Sequence, residues 1–97
     1  MKEIIVYTYL SVEDGVVEKD EVRVFEDISS AEEAMNAQIA QIKGDYEEMG
    51  ITDYDEDYVP PTADEEQRGV ISSYEIYEDG WGESYHDTIT IRRCVVE

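Results

Sequence analysis

Strand-like and helix-like spacings of apolar residues divide the chain into five stretches. Ile4 to Leu10 is rich in β-branched and aromatic residues, Glu13-Asp14-Gly15 is a turn signal, and an extended run resumes around Glu21 to Phe25, the pattern of a hairpin. Ser29 and Ser30 each have a glutamate three residues on, Glu32 and Glu33, the capping-box spacing that marks a helix start. Apolar residues then recur along one helical face at Ala31, Ala34, Met35, Ile39, Ile42, Tyr46 and Met49, and Gly50 supplies a stop. Ile51 to Gln67 has no sustained period, is acidic and contains Pro60-Pro61, so residues 51–67 are expected as a long acidic loop. Val70 to Glu78, a turn at Asp79-Gly80 and Thr88 to Val96 read as a second hairpin.

These elements predict one α+β domain over residues 1–97, ordered ββαββ: a four-stranded antiparallel sheet with one helix packed on one face. The first and last strands are apolar on both faces and are expected as the central pair, giving the order 2-1-4-3. Alternation along each strand places Ile4, Val6, Leu10, Val22 and Val24 against the helix, together with Val70, Tyr74, Ile76, Ile89, Ile91 and Val95. The other face would then carry Ile5, Tyr7, Tyr9, Arg23, Phe25, Ile71, Tyr77, Thr88, Thr90 and Arg92. That face is too apolar for ordinary solvated surface. Ile5, Tyr7, Tyr9, Phe25 and Tyr77 are therefore the residues expected to meet a second copy in a homodimer, unless the loop or another partner covers them.

Charge changes the picture most. Twenty-six acidic residues face 7 basic ones, a formal charge of -19 on 97 residues, while a hydrophobic content of 41% still allows a packed core. Between Lys43 and Arg68 the chain runs 24 residues without a positive side chain and places ten carboxylates there. Such a molecule repels nucleic acid and anionic membranes and is drawn to cationic surfaces. Carboxylates at the end of a helix and along the adjoining loop can imitate a phosphate backbone, and interleaved tyrosines supply rigid contact area. The residues expected to bind a partner are Asp45, Glu47, Glu48, Asp53, Tyr54, Asp55, Glu56, Asp57 and Tyr58. Trp81, between two glycines at a hairpin tip, is either a further anchor or a ring folded back on its own hairpin.

Enzymatic and metal chemistry find little support. The run Asp53-Tyr54-Asp55-Glu56-Asp57-Tyr58 resembles the start of a calcium loop, but Tyr58 stands where a glycine is required and two prolines interrupt the rest, which leaves only weak divalent-cation binding as an alternative role. His86 and Asp87 are adjacent on a strand and point to opposite faces, so they make no catalytic pair. Phosphate-cradling, zinc-protease and nucleophile-elbow motifs are lacking, and no catalytic residue, cofactor or dedicated metal site is expected. A single cysteine, Cys94, excludes an internal disulfide and fits a reducing compartment, and the amino-terminal apolar run reads as a strand, not a signal peptide. The sum is a cytoplasmic, non-enzymatic binding protein that would inhibit a basic, nucleic-acid-handling enzyme or nuclease toxin by charge mimicry, as anti-defence and toxin-immunity proteins do. The alternative is a dimeric scaffold whose acidic loop only confers solubility.

Overall fold

The computed structural model describes residues 2–59, 62–79 and 84–96. Its elements are β1 (Lys2–Glu13), β2 (Val16–Phe25), α1 (Ile28–Glu48), β3 (Asp55–Val59), α2 (Ala63–Gln67), β4 (Val70–Asp79) and β5 (Ser84–Val96). All neighbouring strands are antiparallel, in the order β2-β1-β5-β4-β3. The four strands read from the sequence keep their expected neighbours, and β3 is added as a fifth at the edge. With β1 and β5 at 12 and 13 residues, the central pair sets the length of an elongated molecule, 49 × 24 × 21 Å.

Residues 51–67 are thus not a structureless loop. Strand β3 occupies the edge of the sheet and ends at Val59. Thr62 then caps α2 through a reciprocal capping box with Glu65.

The larger correction concerns the face of β1. Ile5, Tyr7 and Tyr9 are buried beneath α1, in one core with Ala31, Met35, Ile39, Ile42 and Tyr46 of the helix and Tyr74, Ile76, Ile89 and Ile91 of the sheet. Phe25 packs against the same core, with its ring edge-on to Tyr7. Val70, Tyr74, Ile76, Ile89 and Ile91 are buried on the side assigned to them, but Ile71, expected on the open face, packs against the core beside the irregularity between Val70 and Ser72, and Ile4, Val6, Leu10, Val22 and Val24 turn away from the helix. Pairing decides this: Tyr7 lies opposite Ile91 and Tyr9 opposite Ile89, so the two tyrosines share the helix side. The face proposed for a second copy therefore keeps Tyr77 but loses Ile5, Tyr7, Tyr9 and Phe25. Val95, also read as core, is exposed.

The helix begins two residues before the first serine hydroxyl was expected to cap it. Asp27 is the N-cap, its Oδ1 accepting from the Ser30 amide at 2.7 Å, so Ser29 and Ser30 lie inside the first turn. This bond holds the Asp27 carboxyl below the usual carboxylate range. At the far end Gly50 takes φ +79°, its amide bonds Glu47 O at 3.0 Å, and the Ile51 amide reaches Tyr46 O at 2.8 Å, the two-bond termination that glycine makes easy. No helix among the described residues is long and apolar enough to cross a membrane.

Candidate functional site

The acidic run is built around the end of α1 and the edge strand. One contact pins the two together: Lys43 Nζ lies 2.6 Å from Glu56 Oε1, which also accepts from the Tyr74 hydroxyl at 2.9 Å. The Lys43 ammonium holds the Glu56 carboxyl below the usual range, with the Tyr74 hydroxyl adding to the effect against a smaller opposing influence of burial. Tyr58 packs its ring on Tyr74 at 4.9 Å, and Tyr54 sets its ring edge-on to Tyr46 at 5.5 Å. These contacts explain why a segment carrying four carboxylates, Asp53, Asp55, Glu56 and Asp57, forms a strand at all.

They also divide the expected partner-binding residues by role. Glu56 is engaged in holding β3 to the helix, and Tyr54 is half-buried in a core contact. Asp53, Asp55, Asp57 and Tyr58 are exposed, as are Asp45, Glu47 and Glu48 on the helix. Along β3 the side chains alternate, so Glu56 and Tyr58 share the helix side while Asp55 and Asp57 project from the opposite face, across from Tyr77 and Glu75. Asp57 and Glu75 are like charges on directly paired positions, an arrangement that costs stability. Glu75 is partly answered by His86 Nε2, 2.5 Å from its Oε1. Trp81 lies outside the described residues.

The carboxylates on the helix stand at the wrong end for stability. The carboxyl terminus of a helix carries the negative pole of its dipole, and α1 has no basic residue in its last turn while Asp45, Glu47 and Glu48 crowd it. Glu47→Gln and Glu48→Gln are each expected to stabilise the fold by about 0.3–1 kcal/mol at low ionic strength, less in salt. Thermal unfolding checks this: the midpoint should rise for both variants, and a fall would mean that these carboxylates hold stabilising contacts.

The open face of the sheet is divided. On β2 and β1 it presents Val22, Val24 and Leu10 to solvent beside half-buried Ile4 and Val6, and on β4 and β3 it presents Glu75, Asp55 and Asp57. Thr88, Thr90 and Arg92 of β5 lie between the two halves.

A separate feature was not legible as a site in the sequence. Asp87 is the one charged residue buried among the described residues, 5% exposed. Tyr9 donates its hydroxyl to Oδ1 at 2.8 Å and Tyr46 donates to Oδ2 at 3.1 Å. Burial first, and then the neighbouring Asp87 carboxylate, push both phenols well above the ordinary tyrosine range. Asp87 alternates with Ile89 and Ile91 on the core side of β5, as His86 does with Thr88 on the open side. This group lies at the floor of a cleft of about 560 Å³ between the last turns of α1 and the outer half of the first hairpin.

Among the described residues no three His, Cys, Asp or Glu side chains are placed to hold a metal ion. No protein-family model matches the chain, and comparison with curated proteins and with solved structures found no match.

Proposed function

We propose that this is a small acidic binding protein that occupies a basic, nucleic-acid-binding surface of another protein and excludes nucleic acid from it. The observation that carries the reading is the exposed acidic edge formed by Asp53, Asp55 and Asp57, with Asp45, Glu47 and Glu48 exposed at the end of α1. These carboxylates are exposed and make no ion pair among the described residues, and the two cations that flank the run are already engaged, Lys43 by Glu56 and Arg68 by Asp64 at 2.7 Å. Like charges at the negative pole of a helix and across a strand pair reduce stability, a cost that binding to a cationic surface would offset. The apolar half of the open face offers the partner a surface to desolvate, and the carboxylates form a polar rim of the kind that speeds encounter.

Inhibition by mimicry means mutual exclusion. A basic protein captured on the immobilised chain at low salt should release it when duplex DNA or RNA is added, and should lose its own nucleic-acid binding in the presence of the free chain. Formation of a ternary complex with both bound would rule the mimicry out.

A further inference from the structure

The cleft above Asp87 has walls and a floor as well as charge. Tyr9, Tyr46 and Asp87 form the floor, each at most 5% exposed, and Ile42, Met49 and the half-buried Tyr85 form the walls, with the Tyr46 and Tyr85 rings 6.0 Å apart. Glu13, Glu18, Asp45 and Glu48 line the rim, and Lys19 is the one cationic side chain that reaches it. At the floor, each oxygen of Asp87 accepts one phenol hydroxyl and retains a second acceptor site, and no ammonium or guanidinium among the described residues pairs with this carboxylate. A buried carboxylate without a counter-charge is costly, and the cost falls when a cation is brought to it.

We propose that this cleft receives one arginine side chain, with the guanidinium over Asp87 and beside the half-buried Tyr85 ring. Arginine suits the cleft better than lysine because it is more weakly hydrated, stacks on aromatic rings and presents a planar fork to the two free acceptor sites of a carboxylate. That the arginine belongs to a protein partner rests on the proposed function; that the cleft takes a guanidinium does not.

The probe is N-acetyl-L-arginine amide, titrated into the ¹⁵N-labelled protein at moderate salt, with the neutral citrulline analogue and the lysine analogue as further arms. The expected result is saturable shifts at the amides of Ser11, Met49 and Asp87, with an affinity of about millimolar for a ligand this small. The lysine analogue should bind more weakly and the citrulline analogue should leave those amides unmoved. Asp87→Asn, which keeps the size of the side chain, should weaken the arginine probe at least roughly thirtyfold, the lower bound for losing one member of a buried charge pair. Met49→Arg, at an exposed position on the wall, should occupy the cleft from within and remove the shifts without disturbing the core. Equal shifts with citrulline, or non-saturating shifts spread along Asp53, Asp55 and Asp57, would overturn the assignment. Saturable binding of the arginine probe by a chain that fails to exclude nucleic acid from a basic protein would leave the cleft standing and remove only the proposed function.

Discussion

Asp87→Ala is expected to destabilise the protein by about 2–5 kcal/mol, because it strips the acceptor from two buried hydroxyls at once. Tyr9 and Tyr46 are 4% and 2% exposed, so both hydroxyls lose their acceptor at largely buried positions when the carboxylate goes. Against the about 5–15 kcal/mol typical of a domain, such a loss lowers the denaturant midpoint substantially or prevents folding. The cost lies in orphaned donors and not in a net gain from burying charge, and that distinction can be checked. Combining Asp87→Leu with Tyr9→Phe and Tyr46→Phe removes donors and acceptor together and should recover most of the stability lost in Asp87→Ala, since an apolar replacement of a whole buried network is close to neutral. An Asp87→Ala variant as stable as the parent would show that the network contributes nothing. A triple variant no better than Asp87→Ala would place the cost in packing.

The second large effect is alkaline unfolding. Burial, with a smaller contribution from Glu21, pushes the Tyr7 phenol up to about 12, and Tyr9, Tyr46 and Tyr74 are raised further still, each chiefly by burial. A folded-state value above the unfolded value of 10.0 means that the protonated form is favoured in the fold. The associated stability is therefore fully present below pH 10 and is lost as the pH rises, since the unfolded chain ionises its phenols and the native one cannot. Four such groups give a loss of up to about 5 kcal/mol per pH unit, enough to unfold an ordinary domain by roughly pH 11 to 12. Removing protons also adds negative charge to a chain already at -19, which steepens the transition. Circular dichroism and phenolate absorbance followed together give the check: ionisation of the buried phenols should coincide with loss of the sheet. Full tyrosine ionisation with the sheet intact would contradict the burial of this core.

Much of the fold was legible because two signals agreed. The helix showed its period, its stop at Gly50 and its apolar face, and the four long strands showed their order through the apolar character of the first and last. Residues that alternate cleanly, Tyr74 and Ile76 on β4 and Ile89 and Ile91 on β5, were assigned to the correct side. Strand β1 was not, because Ile4 to Leu10 is apolar on both faces and alternation alone cannot choose between them. What chooses is the register Tyr7 to Ile91, a long-range fact, together with packing that gives the larger tyrosines the core and lets Arg23 lie over the Tyr7 and Phe25 rings at 5.9 and 4.9 Å.

The edge strand and the cleft escaped for related reasons. The acidic half of β3 does not favour a strand; it forms because Glu56 meets Lys43 and Tyr74 and Tyr58 meets a second ring, contacts between residues distant along the chain. Asp87 stood in the sequence as the neighbour of a lone histidine. Its position in phase with Ile89 and Ile91 was the available sign that it faces the core, and its two tyrosine donors come from β1 and α1, which only the folded chain brings to it. The acidic run itself was plain from the outset, but its division was not: Glu56 is committed to the fold, while Asp53, Asp55 and Asp57 remain exposed.

If those exposed carboxylates grip a cationic protein surface as proposed, the rate of association with a captured basic partner will depend steeply on ionic strength. The parent chain should associate quickly at low salt, by a factor of about 10 to 1,000 over an unsteered encounter, and slow steeply as salt is added. Asp53→Asn, Asp55→Asn and Asp57→Asn combined, with Glu56 left in place to hold the strand, should associate more slowly and with a flatter salt dependence while remaining folded. A folded triple variant that associates as fast as the parent, with the same dependence on salt, would show that these carboxylates do not carry the recognition.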